Sequence, residues 1–258
     1  MIPNIIHYCW FGGNPLPESA KKCIDSWRKL LPDYEIKEWN ETNYDVHKIP
    51  YIHEAYEARK FAFVSDYARF DILYQYGGLY FDTDVQILKP MDEIIAKGSF
   101  MGREAGSWMK DYGHPKGLAV APGLALGVDV GHPLYKEFLD VYQTLQFRLA
   151  DGSMNTKTIC WYVTEILLKH GLTDNNDYIE KVAGVFIYPA DVFCPMDHTQ
   201  GNKVTLTDRT VSIHLYDCSW IDHNSLSYKL HILKNWLMRR LGANAVNKVA
   251  NILKRRLC

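Results

Sequence analysis

Residues 54–88, EAYEARKFAFVSDYARFDILYQYGGLYFDTDVQIL, set the tightest limit on what this chain can fold into. Phe61, Phe63, Val64, Phe70, Ile72 and Leu73 occupy nearly every side of a helical wheel, and a helix that is apolar all round is a buried one. The pattern predicts one helix over 54–76. Gly77-Gly78 ends it, because glycine adopts the left-handed stop conformation at little cost. LYF then starts a strand expected to run into Asp82. The opening of the chain has the same grammar. IPNIIHYCWFG reads as a buried first strand, residues 17–31 as a helix with Ala20, Cys23, Ile24, Trp27 and Leu30 at helical spacing, and YEIKEWN as a second strand. Strand, helix, strand favours a parallel α/β sheet.

Among the charged residues that interrupt the apolar run are Asp66, Arg69, Asp82 and Asp84. Charge buried without a partner is costly. On a strand, side chains alternate, so Asp82 and Asp84 are expected on one face with Thr83 on the other. Two such carboxylates repel unless a cation joins them. Oxygen donors suit Mg²⁺ or Mn²⁺, which complete their shells with phosphate oxygens and water. The pair ends a hydrophobic strand, where ligand sites of open α/β sheets collect. Asp66 and Arg69 are spaced i,i+3 on one helix face. As a surface ion pair they would contribute under about 1 kcal/mol. In a buried helix they need a specific partner: phosphate or sugar oxygens for Arg69, sugar hydroxyls for Asp66.

The remaining segments continue the α/β alternation. GLAVAPGLALGV reads as a strand pair or one broken strand, and His132-Pro133 opens a helix through about Leu149. TKTICWYVTEILLKHG is another helix, GVFIYPADVF another strand, and TVSIHLYDCSW a late strand leading into a loop. Hydrophobic residues make up 47% and charged residues 23% of 258, which is globular composition, enough for one large α/β domain or two small ones. Six scattered cysteines without a C-x-x-C pair read as free thiols in a reducing, cytoplasmic setting. No basic leader and no run of 18 apolar residues is visible, so neither a signal peptide nor a membrane span is expected.

Taken together, SDYARFDILYQYGGLYFDTDV resembles the S-D-x-x-R-x-x-x-L-x-x-x-G-G-x-Y-x-D-x-D signature of DXD-containing sugar transferases. These comprise yeast-type initiating mannosyltransferases, bacterial capsular polysaccharide enzymes of glycosyltransferase family 32 and, more distantly, the clostridial glucosylating toxins. Ser65, Asp66, Arg69, Leu73, Gly77, Gly78, Tyr80, Asp82 and Asp84 fill every defined position. IIHYCWFGG resembles the family's first strand and SIHLYDCSW its C-terminal element, so the likeness runs from about residue 2 to 220.

The resemblance implies a GT-A fold, a Rossmann-like nucleotide-sugar-binding sheet flanked by helices, and sugar transfer from a nucleotide sugar with retention of configuration. A UDP-sugar is the favoured donor, a glycan or lipid-linked oligosaccharide the acceptor, and polysaccharide or capsule synthesis the setting. Asp66, Arg69, Asp82 and Asp84 are the expected catalytic set. Cys9, Trp10, Ser65, Tyr80, Ser219 and Trp220 join them in holding the donor, Trp10 by stacking on the base unless it is simply core. Mn²⁺ or Mg²⁺ is expected on Asp82 and Asp84, with Asp82 alternatively on ribose. His214 is a third candidate ligand or else a hydrogen-bonded histidine at a strand end. APGLALG lacks the family's usual polar residue, which bears on the acceptor side. A competing reading is a non-catalytic subunit that binds nucleotide sugar or glycan. A D-x-D phosphohydrolase fits poorly, because Val85 and Gln86 follow the pair.

The net charge of −1 hides a division of the chain. Residues 223–258 carry eight Lys or Arg and no acid, so residues 1–222 carry −9. The acidic body argues against nucleic acid. The expected organisation is a transferase domain over 1–222 and a basic amphipathic helical tail over 223–258. Leu226, Leu230, Leu233, Leu237 and Leu241 form one stripe, and Val246, Val249, Leu253 and Leu257 a second beyond Gly242. Such helices either lie on an anionic membrane surface, here the inner face of the cytoplasmic membrane, or pack on the body.

Overall fold

The first strand, β1 (Ile5–Cys9), lies parallel to β2 (Glu35–Trp39), and α1 (Glu18–Leu30) crosses between them. This computed structural model describes residues 1–104, 119–197, 200–217, 226–242 and 246. After α2 (Pro50–Glu57) and α3 (Phe61–Tyr76) come β3 (Gly78–Tyr80), β4 (Val85–Ile87), α4 (Asp92–Lys97) and β5 (Phe100–Gly102). The chain continues through β6 (Leu126–Val128), α5 (Pro133–Gln143), α6 (Ile159–Lys169), β7 (Glu180–Val182), β8 (Val185–Tyr188) and α7 (Ala190–Phe193). Two short strands, β9 (Met196–Asp197) and β10 (Lys203–Val204), precede β11 (Ser212–His214) and α8 (Leu226–Leu241).

Seven strands form the central sheet in the order β2-β1-β3-β6-β5-β8-β7. The first three are parallel, as the opening strand–helix–strand pattern predicts, but β6 runs antiparallel to both its neighbours and β7 antiparallel to β8, so the sheet is mixed. Helices cover both faces. Phe70 of α3 packs with Tyr135 and Phe138 of α5 on one side. Trp27 of α1 packs with Phe81, and Phe193 of α7 with Phe100, on the other. The α/β class with flanking helices is the one expected.

Three segments depart from the sequence reading. Residues 54–76 are two helices. Arg59 turns left-handed at φ 57° between them, and its N–H donates to the Tyr56 carbonyl while that of Lys60 donates to Ala55. This is the Schellman stop, with arginine where glycine usually stands, so no residue-type signal marks it. GVFIYPADVF is a strand only to Tyr188, because Pro189 turns the chain into α7. The helix opening at Pro133 ends at Gln143, six residues before Leu149.

The glycine stop itself stands. Gly77 and Gly78 have φ of 62° and 98°, and a side chain on Gly78 would meet the Ile5 carbonyl at 2.6 Å. The two glycines thus let α3 end directly against β1 and deliver β3 into the slot beside it. His7 fixes this joint. Trp39 Nε1 can only donate, and it reaches His7 Nδ1 at 3.0 Å. His7 is therefore the neutral Nε2–H tautomer, donating to the Gly77 carbonyl at 3.0 Å.

Candidate functional site

β1 and β3 run side by side in one direction, so their carboxyl ends open at the same edge of the sheet. The candidate residues collect there, the place where open α/β sheets bind ligands. α3 supplies Ser65, Asp66 and Arg69. Buried on most sides, it carries both charges inward: Asp66 is 8% and Arg69 4% exposed. Arg69 Nη2 donates to Asp66 Oδ1 at 3.1 Å, and Nη1 stands 3.3 Å from Asp82 Oδ1. Its guanidinium lies 4.8 Å from the Tyr80 ring centroid, and the Tyr80 hydroxyl donates to Asp82 Oδ1 at 3.0 Å. The surface-pair reading of Asp66 and Arg69 is thereby excluded. Burial pushes the Asp66 carboxyl up to about 7, against the pull of Arg69 and a hydrogen bond from the Ile159 N–H at the start of α6. Burial opposes the charge on Arg69 as well, but Asp82 and its other anionic neighbours keep it firmly protonated.

The two aspartates of DTD do not share a strand face. β3 ends at Tyr80 and β4 begins at Val85. Between them the chain turns, with the Val85 N–H donating to the Asp82 carbonyl at 3.0 Å. The expectation from strand alternation fails because a three-residue strand leaves the motif outside the ladder. The turn separates the roles. Asp82 faces inward to Arg69 and Tyr80. Asp84 faces the last strand: its Oδ1 lies 3.1 Å from His214 Nε2, and its Oδ2 accepts from the Asp217 N–H at 3.0 Å. β11 reaches this position by pairing antiparallel to β4, His214 opposite Val85.

His214 is buried, which pulls its pKa down, but the Asp84 carboxylate overrides this and holds it at about 9. Burial likewise opposes the charge on Asp84, and the His214 cation and the hydrogen bonds it receives bring its carboxyl below the usual range. Nδ1 of His214 is buried without a hydrogen-bond partner. A divalent ion therefore meets a suitable donor set: two carboxylates and an imidazole whose Nδ1 is buried without a partner. These groups stand apart, each held by protein. Among the described residues, the three-member group with ligand atoms mutually within 4.8 Å is His47, His53 and Glu57, not Asp82, Asp84 and His214.

The remaining expected residues sit around this centre. Cys9 is buried among Arg69, Tyr80 and Asp82, and burial pushes its thiol up to about 12. Trp10 is half-buried at the end of β1, its Nε1 donating to the Asn14 carbonyl at 2.6 Å. The Ser65 hydroxyl turns back to the Phe61 carbonyl at 3.2 Å, while the Ser65 carbonyl accepts from Arg69 Nε at 3.1 Å. Ser219 and Trp220 lie outside the described residues.

Sequence reasoning missed two features. Gly123 faces Asp82 directly: a Cβ there would stand 2.0 Å from Asp82 Oδ2, and its carbonyl accepts from the Asp82 N–H at 3.1 Å. The glycine in APGLALG was its only signal. Tyr216 stacks edge-on against His214 at 4.3 Å and donates to buried Glu104 at 2.6 Å, with an uncommon φ of 53° for a bulky residue. Glu104 and Tyr216 are 112 residues apart, so no local pattern joins them.

Part of the chain is similar to known proteins. The family described as "Glycosyltransferase sugar-binding region containing DXD motif" matches residues 17–101. Inositol phosphoceramide mannosyltransferase 1 of Schizosaccharomyces pombe is 34% identical over 112 residues, 39% of this chain and 33% of its own length. Inositol phosphoceramide mannosyltransferase 3 of the same yeast is 31% identical over 141 residues, 48% of this chain and 37% of its own. The matched stretch thus spans about a third of these relatives. Among solved structures, PaToxG glycosyltransferase is 20% identical with a TM-score of 0.46, covering 65% of this chain and 69% of that one. Mouse xyloside xylosyltransferase 1 is 13% identical at the same TM-score, covering 85% and 100%. Over residues 17–101 the chain is thus similar to glycosyltransferase sugar-binding regions, and Asp82-Thr83-Asp84 has the form of a DXD motif.

Proposed function

We propose that this protein is a metal-dependent glycosyltransferase that moves a sugar from a nucleotide-sugar donor to a glycan acceptor with retention of configuration. One observation carries the reading: Arg69 is buried between Asp66 and Asp82 at the carboxyl edge of β1 and β3, inside the sugar-binding region. A buried cation with two carboxylates at a ligand-binding edge is a built site rather than a surface ornament.

Asp82, Asp84 and His214 would hold the ion, which when bound neutralises a diphosphate and stabilises its departure. Arg69 adds a fixed positive charge in a water-poor setting, where such charge acts strongly on a developing anion. Asp66 accepts sugar hydroxyls and, in its ionised form, sets negative charge near an oxocarbenium-like sugar. Trp10, half-exposed beside the Gly12-Gly13 pair with its positive φ angles, offers a face to the base. Cys9 supports Tyr80 from beneath. No side chain is assigned as nucleophile.

The favoured donor is a UDP-sugar. The curated relatives are named as mannosyltransferases acting on inositol phosphoceramide, so GDP-mannose belongs in the donor panel and a lipid-linked acceptor beside a soluble glycan. The test measures nucleoside diphosphate released from that panel with Mn²⁺. Turnover with one donor, lost on chelation and reduced about 10²-fold or more in Asp84→Asn, is the expected result. Thermal stabilisation by donor and metal without diphosphate release would instead identify a non-catalytic nucleotide-sugar-binding subunit.

The proposed division is a transferase body over 1–222 and a basic tail from 223. α8 supports an interfacial role for the tail. Asn235 and Met238 are buried, whereas Leu230, Leu233, Trp236 and Leu241 are exposed, with Lys229, Lys234 and Arg240 among them. An apolar stripe flanked by cations fits an anionic lipid surface. Among the described residues no helix is long and apolar enough to cross a membrane.

A further inference from the structure

On the exposed side of α2, His47, His53 and Glu57 place two imidazoles and a carboxylate with ligand atoms within 4.8 Å of one another. His53 and Glu57 are spaced i,i+4, so both rise from one face of α2. His47 enters from the preceding turn. Its backbone N–H is fixed by Asp45 Oδ1 at 2.9 Å, and its ring stands edge-on to Tyr56 with centroids 5.7 Å apart. The Nδ1 atoms of His47 and His53 are 2.6 Å apart. Two N–H groups cannot face each other at that distance, so at least one Nδ1 presents a lone pair to the cluster.

We propose that His47 Nδ1, His53 Nδ1 and a Glu57 carboxylate oxygen bind a transition-metal dication of the Zn²⁺ class. The chemistry favours such an ion over Mg²⁺ or Ca²⁺, because imidazole suits borderline metals and two of the three donors are imidazoles. Geometry permits it. Two nitrogens at zinc's bond length, in a tetrahedral arrangement, lie about 3.3 Å apart, so the exposed rings open by less than about 1 Å. Three protein ligands leave the fourth position to water. Bound there, the ion ties the turn before α2 to the helix itself. Tyr56, which packs on His47, also packs on Phe61 at 5.6 Å, so the clasp sits next to the first residue of α3.

Calorimetric titration of the tag-free full chain with ZnCl₂ tests it. The double variant His47→Gln/His53→Gln should lose one equivalent of Zn²⁺, and Asp84→Asn should keep that equivalent. Glu57→Gln should weaken it by about tenfold or more. All three residues are exposed, so the variants should keep the wild-type far-UV circular dichroism. Shifts of the His47 and His53 imidazole resonances on adding Zn²⁺ give a second readout. Unchanged zinc uptake by the double variant, or loss of that equivalent in Asp84→Asn alone, overturns the proposal.

Discussion

At the scale of single residues, Gly123 does what a larger residue cannot. Asp82 Oδ2 occupies the space a Cβ would take, so Gly123→Ala must push Asp82 off Arg69 or move the loop. The expected outcome is a loss of about 1–3 kcal/mol in stability, as for other overpacked sites, with a disproportionate fall in donor affinity. Denaturant melts and donor calorimetry on one preparation separate the two effects. His7 makes a second prediction. Burial lowers its pKa from 6.5 to about 4, outweighing the opposing bond to Gly77. The folded state then binds fewer protons than the unfolded chain, so the contribution of His7 is fully present above pH 6.5. It declines as pH falls toward 4, by about 3 kcal/mol in all. Wild type should lose stability over that window relative to His7→Gln, and parallel melts of the two at several pH values check it.

At the scale of elements, the break between α2 and α3 and the DTD turn share one cause: both are set by packing rather than by local signals. Ala55 and Val64 lie in the same core, and continuing one helix across Arg59 could not bury both faces. A non-glycine residue pays a conformational penalty in the left-handed region. Arg59→Gly should therefore raise stability by about 0.5–1 kcal/mol, seen as a rise of about 1–4 °C in Tm, with turnover unchanged. The glycine pair after α3 was legible because the left-handed conformation there coincides with the residue type that prefers it. The arginine stop was not, since its two hydrogen bonds are made by backbone groups that any residue carries and its residue type is silent.

At the scale of the whole molecule, the tail meets the body through one face of α8. Arg239 Nε donates to the Gly201 carbonyl at 2.6 Å, and Met238 Cβ would lie 2.7 Å from a Cβ on Gly201. Removing the tail would therefore also strip a packed surface from the body, which blurs a truncation experiment. Leu233→Glu/Trp236→Glu alters only the exposed stripe. It should leave Tm within about 1 °C of wild type, as surface substitutions do. Flotation with anionic vesicles should fall severalfold, and wild-type flotation by this variant would refute the interfacial role. The free thiols expected from composition are present at Cys9, Cys23 and Cys160, and Cys194 Sγ lies 3.0 Å from the Tyr216 hydroxyl, while Cys218 and Cys258 lie outside the described residues.

The α/β class, the buried α3 with its glycine stop, and the need of Asp66, Arg69, Asp82 and Asp84 for specific partners were readable from residue order alone. Each rests on a local rule: helical period, left-handed glycine, or the cost of charge in an apolar run. What tertiary structure decided is how those carboxylates are used. Asp82 turns to Arg69 and Tyr80, whereas Asp84 turns to His214, because β11 crosses back from 130 residues away to pair with β4. Gly123, Glu104 and Tyr216 enter the site by the same long-range route. Contacts between residues far apart in sequence leave no periodic trace, since only the closed sheet brings the partners together.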